Sequence, residues 1–392
     1  MAEMRAVDGT GARVSARGAK RWASGHPWIY RSDVISAPAH PGIVTVHDER
    51  GRTLGQALCS PTSEIRLRLL ERTGRPIDRG WWIERLARCR DRRAGIDATA
   101  WRAVHGEGDG IPALIVDRYD RWLVVQLLSA ALEAERATVI DALREVFAPD
   151  GILLRHDVPA RKLEGLSQDI ELAWGSVPEQ VEVREGNVRW FAAPWTGQKT
   201  GAFIDQRDNR MLAGTLVPQG GTALDCFSYH GSFALHLAGR AAGVVALDVS
   251  AAALARGAEH AALNGIDNIS FVEGDVFDIL PEWGRERRQF DVVVVDPPAF
   301  AKSRATVPAA LRGYHEVNRR AMRLVAPGGW LLSASCSFHV GRPEFHDMLA
   351  RAAADAGRRC TLHAMLGQPI DHPEVITIPE TGYLKATVLR MD

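Results

Sequence analysis

Leu224-Asp225-Cys226-Phe227-Ser228-Tyr229-His230-Gly231-Ser232 compresses the end of a strand, a loop and the start of a helix into nine residues. Thr222–Phe227 has the apolar run of a buried strand, and Ser232–Arg240 resumes with helical spacing. Outward from this stretch the alternation repeats. Strand Val244–Val249 leads to helix Ala251–Leu263, which Asn264-Gly265 closes. Strands Ile269–Val272 and Asp291–Val295 follow, then helix Leu311–Val325, strand Trp330–Ser335 and helix Glu344–Ala356. Two last strands are expected near Cys360–Leu366 and Tyr383–Arg390. Strands that are apolar through their centres and separated by helices predict a parallel sheet covered on both faces. The fold class is α/β, with a doubly wound, Rossmann-like domain over residues 189–392.

Upstream the pattern differs. In residues 1–75, Ile43–Val46 and Thr53–Leu58 flank the turn signal Asp48-Glu49-Arg50-Gly51. Glu64–Leu70 alternates charged and apolar residues, so a small β-barrel with arginines on its solvent faces is expected. Residues 76–188 read as a central α/β section. A helix pattern begins at Trp81, Gly106-Glu107-Gly108-Asp109-Gly110-Ile111-Pro112 is a turn-rich loop, strands Ala113–Asp117 and Trp122–Leu128 follow, and Glu133–Phe147 is helical.

Composition narrows the function. The chain has 392 residues, enough for two or three domains, and 46% hydrophobic with 24% charged residues excludes a disordered or collagen-like chain. Its 48 basic and 48 acidic residues cancel, but residues 1–100 hold 18 Lys and Arg against 11 Asp and Glu. A basic amino-terminal third on a neutral chain suggests a localised polyanion surface. Five scattered cysteines make no disulfide framework and no zinc spacing, so no metal site is expected and a reduced, cytoplasmic protein is. The amino-terminal stretch lacks the apolar core of a signal peptide, and no run of 18 apolar residues suggests a membrane span.

The candidate chemistry sits at strand ends. Asp225 lies in the first strand-loop motif, Asp248 ends the second strand where a ribose would offer its hydroxyls, and Asp275 follows the third, where an adenine edge would lie. Phe227, Ser228 and Gly231 of the loop and Ser250 after the second strand complete this set. The loop has a single glycine, so a pyrophosphate cradle is poorly supported, and a nucleoside such as S-adenosylmethionine fits better. The fourth strand ends Asp296-Pro297-Pro298-Ala299-Phe300, an exit that resembles the fourth motif of methyltransferases acting on planar nitrogen-bearing groups. The fifth ends Ser335-Cys336-Ser337. A thiolate at Cys336 could add to C6 of a pyrimidine and make C5 nucleophilic, provided the site favours the ionised thiol. Cys226 reads as packing.

Together these stretches resemble the bacterial family of large-subunit ribosomal RNA methyltransferases that make 5-methylcytosine with S-adenosylmethionine. The resemblance runs nearly full length and includes His26-Pro27-Trp28-Ile29-Tyr30, the Gly106–Pro112 loop and Gly197-Gln198-Lys199-Thr200-Gly201-Ala202-Phe203-Ile204-Asp205-Gln206-Arg207. It implies an RNA-binding PUA barrel, a central α/β domain, a methyltransferase domain and a homodimer. It further implies that Phe203, Gln206 and Arg207 line the cofactor site, that Asp296 contacts the target base and that Cys336 is the nucleophile. The sequence departs from the family at His230 and Ser232, where smaller residues are expected, and has Pro297 where many RNA cytosine-C5 methyltransferases carry a second cysteine. His339 and Asp296 are candidates for the base that removes the C5 proton. Two other readings stay open. One is an RNA guanine or adenine nitrogen methyltransferase, which needs no Cys336. The other is a non-catalytic RNA-binding factor of ribosome assembly. A nicotinamide dehydrogenase lacks its glycine fingerprint.

Overall fold

The computed structural model describes residues 11–392. The first ten residues, part of the expected barrel and of the stretch read for a signal peptide, lie outside it. The chain forms two compact units. The first comprises residues up to Val183 with Ala192–Ile204 and Ile370–Thr381, and the second Arg184–Phe191, Asp205–Pro369 and Gly382–Asp392. The boundary is therefore not a single cut near residue 188, because the chain crosses it repeatedly.

In the first unit a six-stranded sheet runs in the order Trp28–Tyr30, Ile65–Glu71, Thr53–Cys59, Gly42–His47, Ala12–Val14, Val34–Ser36. The turn signal at Asp48 works as expected. One Asp48 oxygen accepts the N–H groups of Arg50 and Arg52, both at 2.9 Å, and so closes the hairpin. One expected feature is corrected: Arg68 does not face solvent. It is 6% exposed and donates to Glu164 Oε1 at 2.8 Å, because residues of the central section cover that side of the strand. A five-stranded sheet lies in the central section of this unit, with helices Arg79–Arg92 and Arg136–Phe147 sharing its core.

The second unit is built on a seven-stranded sheet. Its strands are β1 (Gly221–Cys226), β2 (Ala241–Asp248), β3 (Ile269–Glu273), β4 (Phe290–Val295), β5 (Val325–Ser335), β6 (Cys360–Leu366) and β7 (Lys385–Met391). The helices are α1 (Arg207–Leu216), α2 (Ser232–Ala238), α3 (Ala251–Leu263), α4 (Val276–Arg285), α5 (Val307–Leu324) and α6 (Arg342–Ala356). Strand order is β3-β2-β1-β4-β5-β7-β6. Strands β1 to β5 are parallel, but β7 runs antiparallel between β5 and β6, which corrects the expectation of a wholly parallel sheet. The period-two pleat explains the two cores. Val293 and Val295 join Leu280, Tyr314 and Phe345 on one face, while Val292 and Val294 join Ala213, Phe233 and Leu237 on the other. Among the described residues no helix is long and apolar enough to cross a membrane.

Candidate active site

Strand order reverses between β1 and β4, and the carboxyl ends of β1, β2, β4 and β5 meet at this switch point, the usual ligand edge of an open α/β sheet. The loop after β1 has an uncommon backbone there. Phe227, Tyr229 and Gly231 have φ of 62°, 51° and 69°, so every second residue is left-handed. For Phe and Tyr this conformation costs about 1–2 kcal/mol each, whereas glycine adopts it freely. Hydrogen bonds hold the turn: Ser228 N–H donates to the Leu247 carbonyl at 3.1 Å and Tyr229 N–H to Asp248 Oδ2 at 2.9 Å. The loop thereby wraps the end of β2. The positions that demand glycine geometry are thus Phe227 and Tyr229 rather than His230 and Ser232. His230 stacks on Tyr229 with ring centroids 3.6 Å apart, and Ser232 begins α2.

The acids at the strand ends do different jobs. Asp225 is 1% exposed and accepts the Ala234 N–H of α2 on Oδ2 at 3.0 Å. Its Oδ1 and the Ser228 hydroxyl are buried with no hydrogen-bond partner among the described residues. Burial pushes the Asp225 carboxyl well above the usual range, and Asp296 and Asp248 push it further. Buried polar atoms are nearly always satisfied, so these two are places for a ligand's donors. Asp248 is half-buried and accepts Tyr229 N–H and Ser250 N–H on separate oxygens, each of which keeps a second lone pair. Asp275 is exposed and caps α4 through Phe277 N–H at 2.8 Å, while Ser250 caps α3 through Ala253 N–H at 3.2 Å. A ligand with a ribose diol and positive charge suits these converging carboxylates, and S-adenosylmethionine has both.

Next to this cradle stands the candidate base site. Asp296 leaves β4 half-buried, and Gln206 Nε2 donates to its Oδ1 at 2.9 Å. Gln206 is held in turn by Asn209, whose amide donates to Oε1 at 2.5 Å. Arg207 is 3% exposed and donates to Asp208 at 3.0 Å. Cys336 follows β5 and is half-buried, between Ser335 and Ser337, both fully buried. The Ser337 hydroxyl accepts the Ala301 N–H at 3.0 Å and shares a 2.9 Å hydrogen bond with Tyr314. The loop that carries Asp296 is therefore tied to the strand end that carries Cys336. Cys226 is fully buried, and burial pushes its thiol far up, with Asp225 adding to the shift. That is the behaviour of a packing residue.

Phe203 belongs to the first unit, so the Gly197–Arg207 stretch divides at Ile204/Asp205. Lys199 Nζ lies 4.5 Å from the Phe203 ring centroid. Phe300 is half-buried, 4.6 Å from the Tyr314 ring and 6.2 Å from that of Phe277. Ala299 separates it from the two prolines, so no aromatic ring directly follows them. Sequence reasoning missed Lys385. It sits opposite Ser335 in the β5–β7 register, is 6% exposed, and donates to the carbonyls of Ser337 at 2.6 Å and Tyr383 at 2.9 Å. A signal was present: only five of the 48 basic residues are lysine.

Comparison with known proteins agrees with this geometry. Residues 102–390 match the S-adenosylmethionine-dependent methyltransferase family and residues 12–72 match the PUA-like domain. The chain is 38% identical over 381 residues to "Ribosomal RNA large subunit methyltransferase I" of Aeromonas hydrophila, covering 93% of this chain and 95% of the relative. It is 37% identical to the protein of that name from Vibrio cholerae, covering 92% and 94%. Among solved structures, a protein from Streptococcus mutans described as a SAM-dependent methyltransferase superposes with a TM-score of 0.80 at 20% identity, over 96% of this chain and 99% of that one. A methyltransferase structure complexed with SAH gives 0.82 at 20% identity, with the same coverage. These two likenesses establish the fold.

Proposed function

The chain belongs to the S-adenosylmethionine-dependent methyltransferase family, and from that premise we propose that it methylates C5 of a cytosine in large-subunit ribosomal RNA through a transient bond from Cys336. The observation that carries the reading is the tether between the Asp296 loop and the Cys336 strand end, made by Ala301 and Ser337. The names of the relatives from Aeromonas and Vibrio support the RNA class. In this reading residues 1–75 bind RNA, residues 76–188 form the central domain, residues 189–392 catalyse, and the protein works in the cytoplasm as a homodimer.

Asp248 takes the ribose hydroxyls of the cofactor and Asp275 its adenine edge, with Gln206, Arg207, Asp225, Phe227, Ser228, Gly231 and Ser250 completing the cradle. S-adenosylmethionine, when bound, supplies an electrophilic methyl group. The chain's own residues prepare the acceptor. The Cys336 thiolate adds to C6; the C5=C6 pair shifts to form C4=C5 and the C4=N3 pair moves onto N3, which takes up a proton, so that C5 becomes the nucleophilic carbon of an enamine. Asp296 accepts a hydrogen bond from the exocyclic amino group of the base and steadies the positive charge that builds there as C5 gains its substituent. Once C5 carries its new substituent, a base, for which His339 and Asp296 are the candidates, takes the C5 proton; the C–H electron pair re-forms C5=C6 and the thiolate leaves C6.

Nitrogen methylation is the weaker reading. It leaves Cys336 without a task, and Phe300 is engaged with Tyr314 and Phe277. The test is mass spectrometry of nucleosides from large-subunit RNA incubated with the protein and labelled S-adenosylmethionine. Label in 5-methylcytidine is expected; label in a methylated guanosine or adenosine would overturn the C5 assignment.

A further inference from the structure

In the second unit, α5 and its neighbours α4 and α6 border two open cavities of about 590 and 480 Å³. Arg285, Arg319, Arg320 and Arg323 wall the first, over a floor that includes Leu280. Arg312 and Arg351 wall the second, beside Met348. Glu316 is the one carboxylate lining either cavity, against six guanidinium groups. A third cavity, in the first unit, is charge-balanced, with Arg79 and Arg144 facing Asp141 and Glu145. Of these three cavities, the two at the α5 face carry an excess of positive charge.

This arrangement is more than a solvated helix surface. Arg312, Arg319 and Arg323 recur along one stripe of α5, spanning about 16 Å at 1.5 Å per residue. The opposite stripe, with Tyr314, Val317 and Ala321, is buried in the core. Glu316 accepts from Arg319 Nη2 at 2.8 Å and Arg320 Nε at 2.6 Å, which fixes both guanidinium groups while leaving N–H donors to spare. Arg320 also donates to the Phe277 carbonyl. A row of guanidinium groups, with Arg319 held by Glu316, matches a row of monoanions, and their planar forks suit phosphate oxygens. The amino end of α5 follows the Asp296–Phe300 loop closely in the chain, so the row starts near the candidate catalytic edge.

We propose that the Arg312–Arg323 stripe, with Arg285 and Arg351, is a second RNA contact that holds phosphodiester groups flanking the target base. The inference rests on the RNA reading above. The full chain and two double variants, R285Q/R323Q and R312Q/R351Q, are titrated with a protein-free large-subunit RNA transcript over a series of salt concentrations. Each variant should bind at least about tenfold more weakly near 0.1 M salt, and its log–log salt slope should fall by about 1.4, or 0.7 for each phosphate released. Unchanged S-adenosylmethionine binding by calorimetry checks that the variants fold. Wild-type affinity and slope in both variants would overturn the inference and leave the RNA reading standing. So would polyglutamate that binds wild type but not the variants while RNA affinity is the same in all three, since the stripe would then fit an acidic protein segment. Failure of the wild-type chain to bind the transcript would sink both.

Discussion

Lys385 Nζ donates to the carbonyl oxygen of Ser337 at 2.6 Å, so a buried ammonium is held against the backbone that immediately follows Cys336. A cation fixed in a poorly solvated place favours a nearby anion, and the thiolate is the reactive form of cysteine. Lys385→Met should therefore shift the alkylation of Cys336 by iodoacetamide to higher pH. Lys385→Arg should recover part of the shift. A pH–rate profile of alkylation, followed by mass spectrometry at Cys336, checks this. Coincident profiles for wild type and Lys385→Met would remove Lys385 from the chemistry.

Asp248 is expected to carry much of the cofactor affinity. Asp248→Ala removes the acceptor for the ribose hydroxyls and also frees Tyr229 N–H, loosening the left-handed turn. The loss should be about 1.5–3 kcal/mol, the range for hydrogen bonds to a charged group. Calorimetric titration of the full chain with S-adenosylmethionine measures it. Asp275→Ala, which removes an exposed helix cap, should cost less. Equal affinity in Asp248→Ala and wild type would contradict the assignment.

Much of the second unit is legible in sequence because β1 to β5 are apolar runs bounded by polar turns. What remained hidden has physical causes. Orientation leaves no trace in a hydrophobic run, so antiparallel β7 could not be told from a parallel strand. Helix α4 contains Pro281, an ordinary breaker signal, and α1 buries Arg207, Asn209 and Arg210, which blurs its apolar stripe. Arg210 is there to meet Glu185, at 2.7 and 2.5 Å, a partner 25 residues away that no local pattern reveals. The site residues at strand ends were legible because the fold class fixes where strands deliver ligands. The glycine-like turn at Phe227 and Tyr229 was not, since those residue types argue against the conformation they adopt.

In mild acid the second unit should lose the stability contributed by its buried neutral histidines. His260 accepts Phe191 N–H on Nε2 at 3.1 Å and pairs through Nδ1 with the His230 carbonyl at 3.3 Å, an arrangement that needs the neutral ring. Burial lowers His260 to about 4 and His230 to about 3. Both values lie below that of an unfolded histidine, so the unfolded chain binds more protons between them. Their stabilising contribution is complete above about pH 6.5 and is lost as pH falls toward 3–4. Urea midpoints measured from pH 7.5 to 4.5 should fall, and fall less steeply in His260→Gln. Parallel curves for the two proteins would show that His260 is not the acid-sensitive group.

The central claim is that Cys336 bonds to the target cytosine. A fluorine at C5 cannot leave as a proton does, so RNA substituted with 5-fluorocytosine should trap the enzyme when S-adenosylmethionine is present. The measurement is denaturing gel electrophoresis of that mixture, with the crosslinked peptide identified by mass spectrometry. The account predicts a stable protein–RNA adduct at Cys336, retained in Cys226→Ala and absent from Cys336→Ala, which still binds cofactor and RNA but no longer turns over. Near wild-type methylation by Cys336→Ala, with no adduct in any variant, would contradict it.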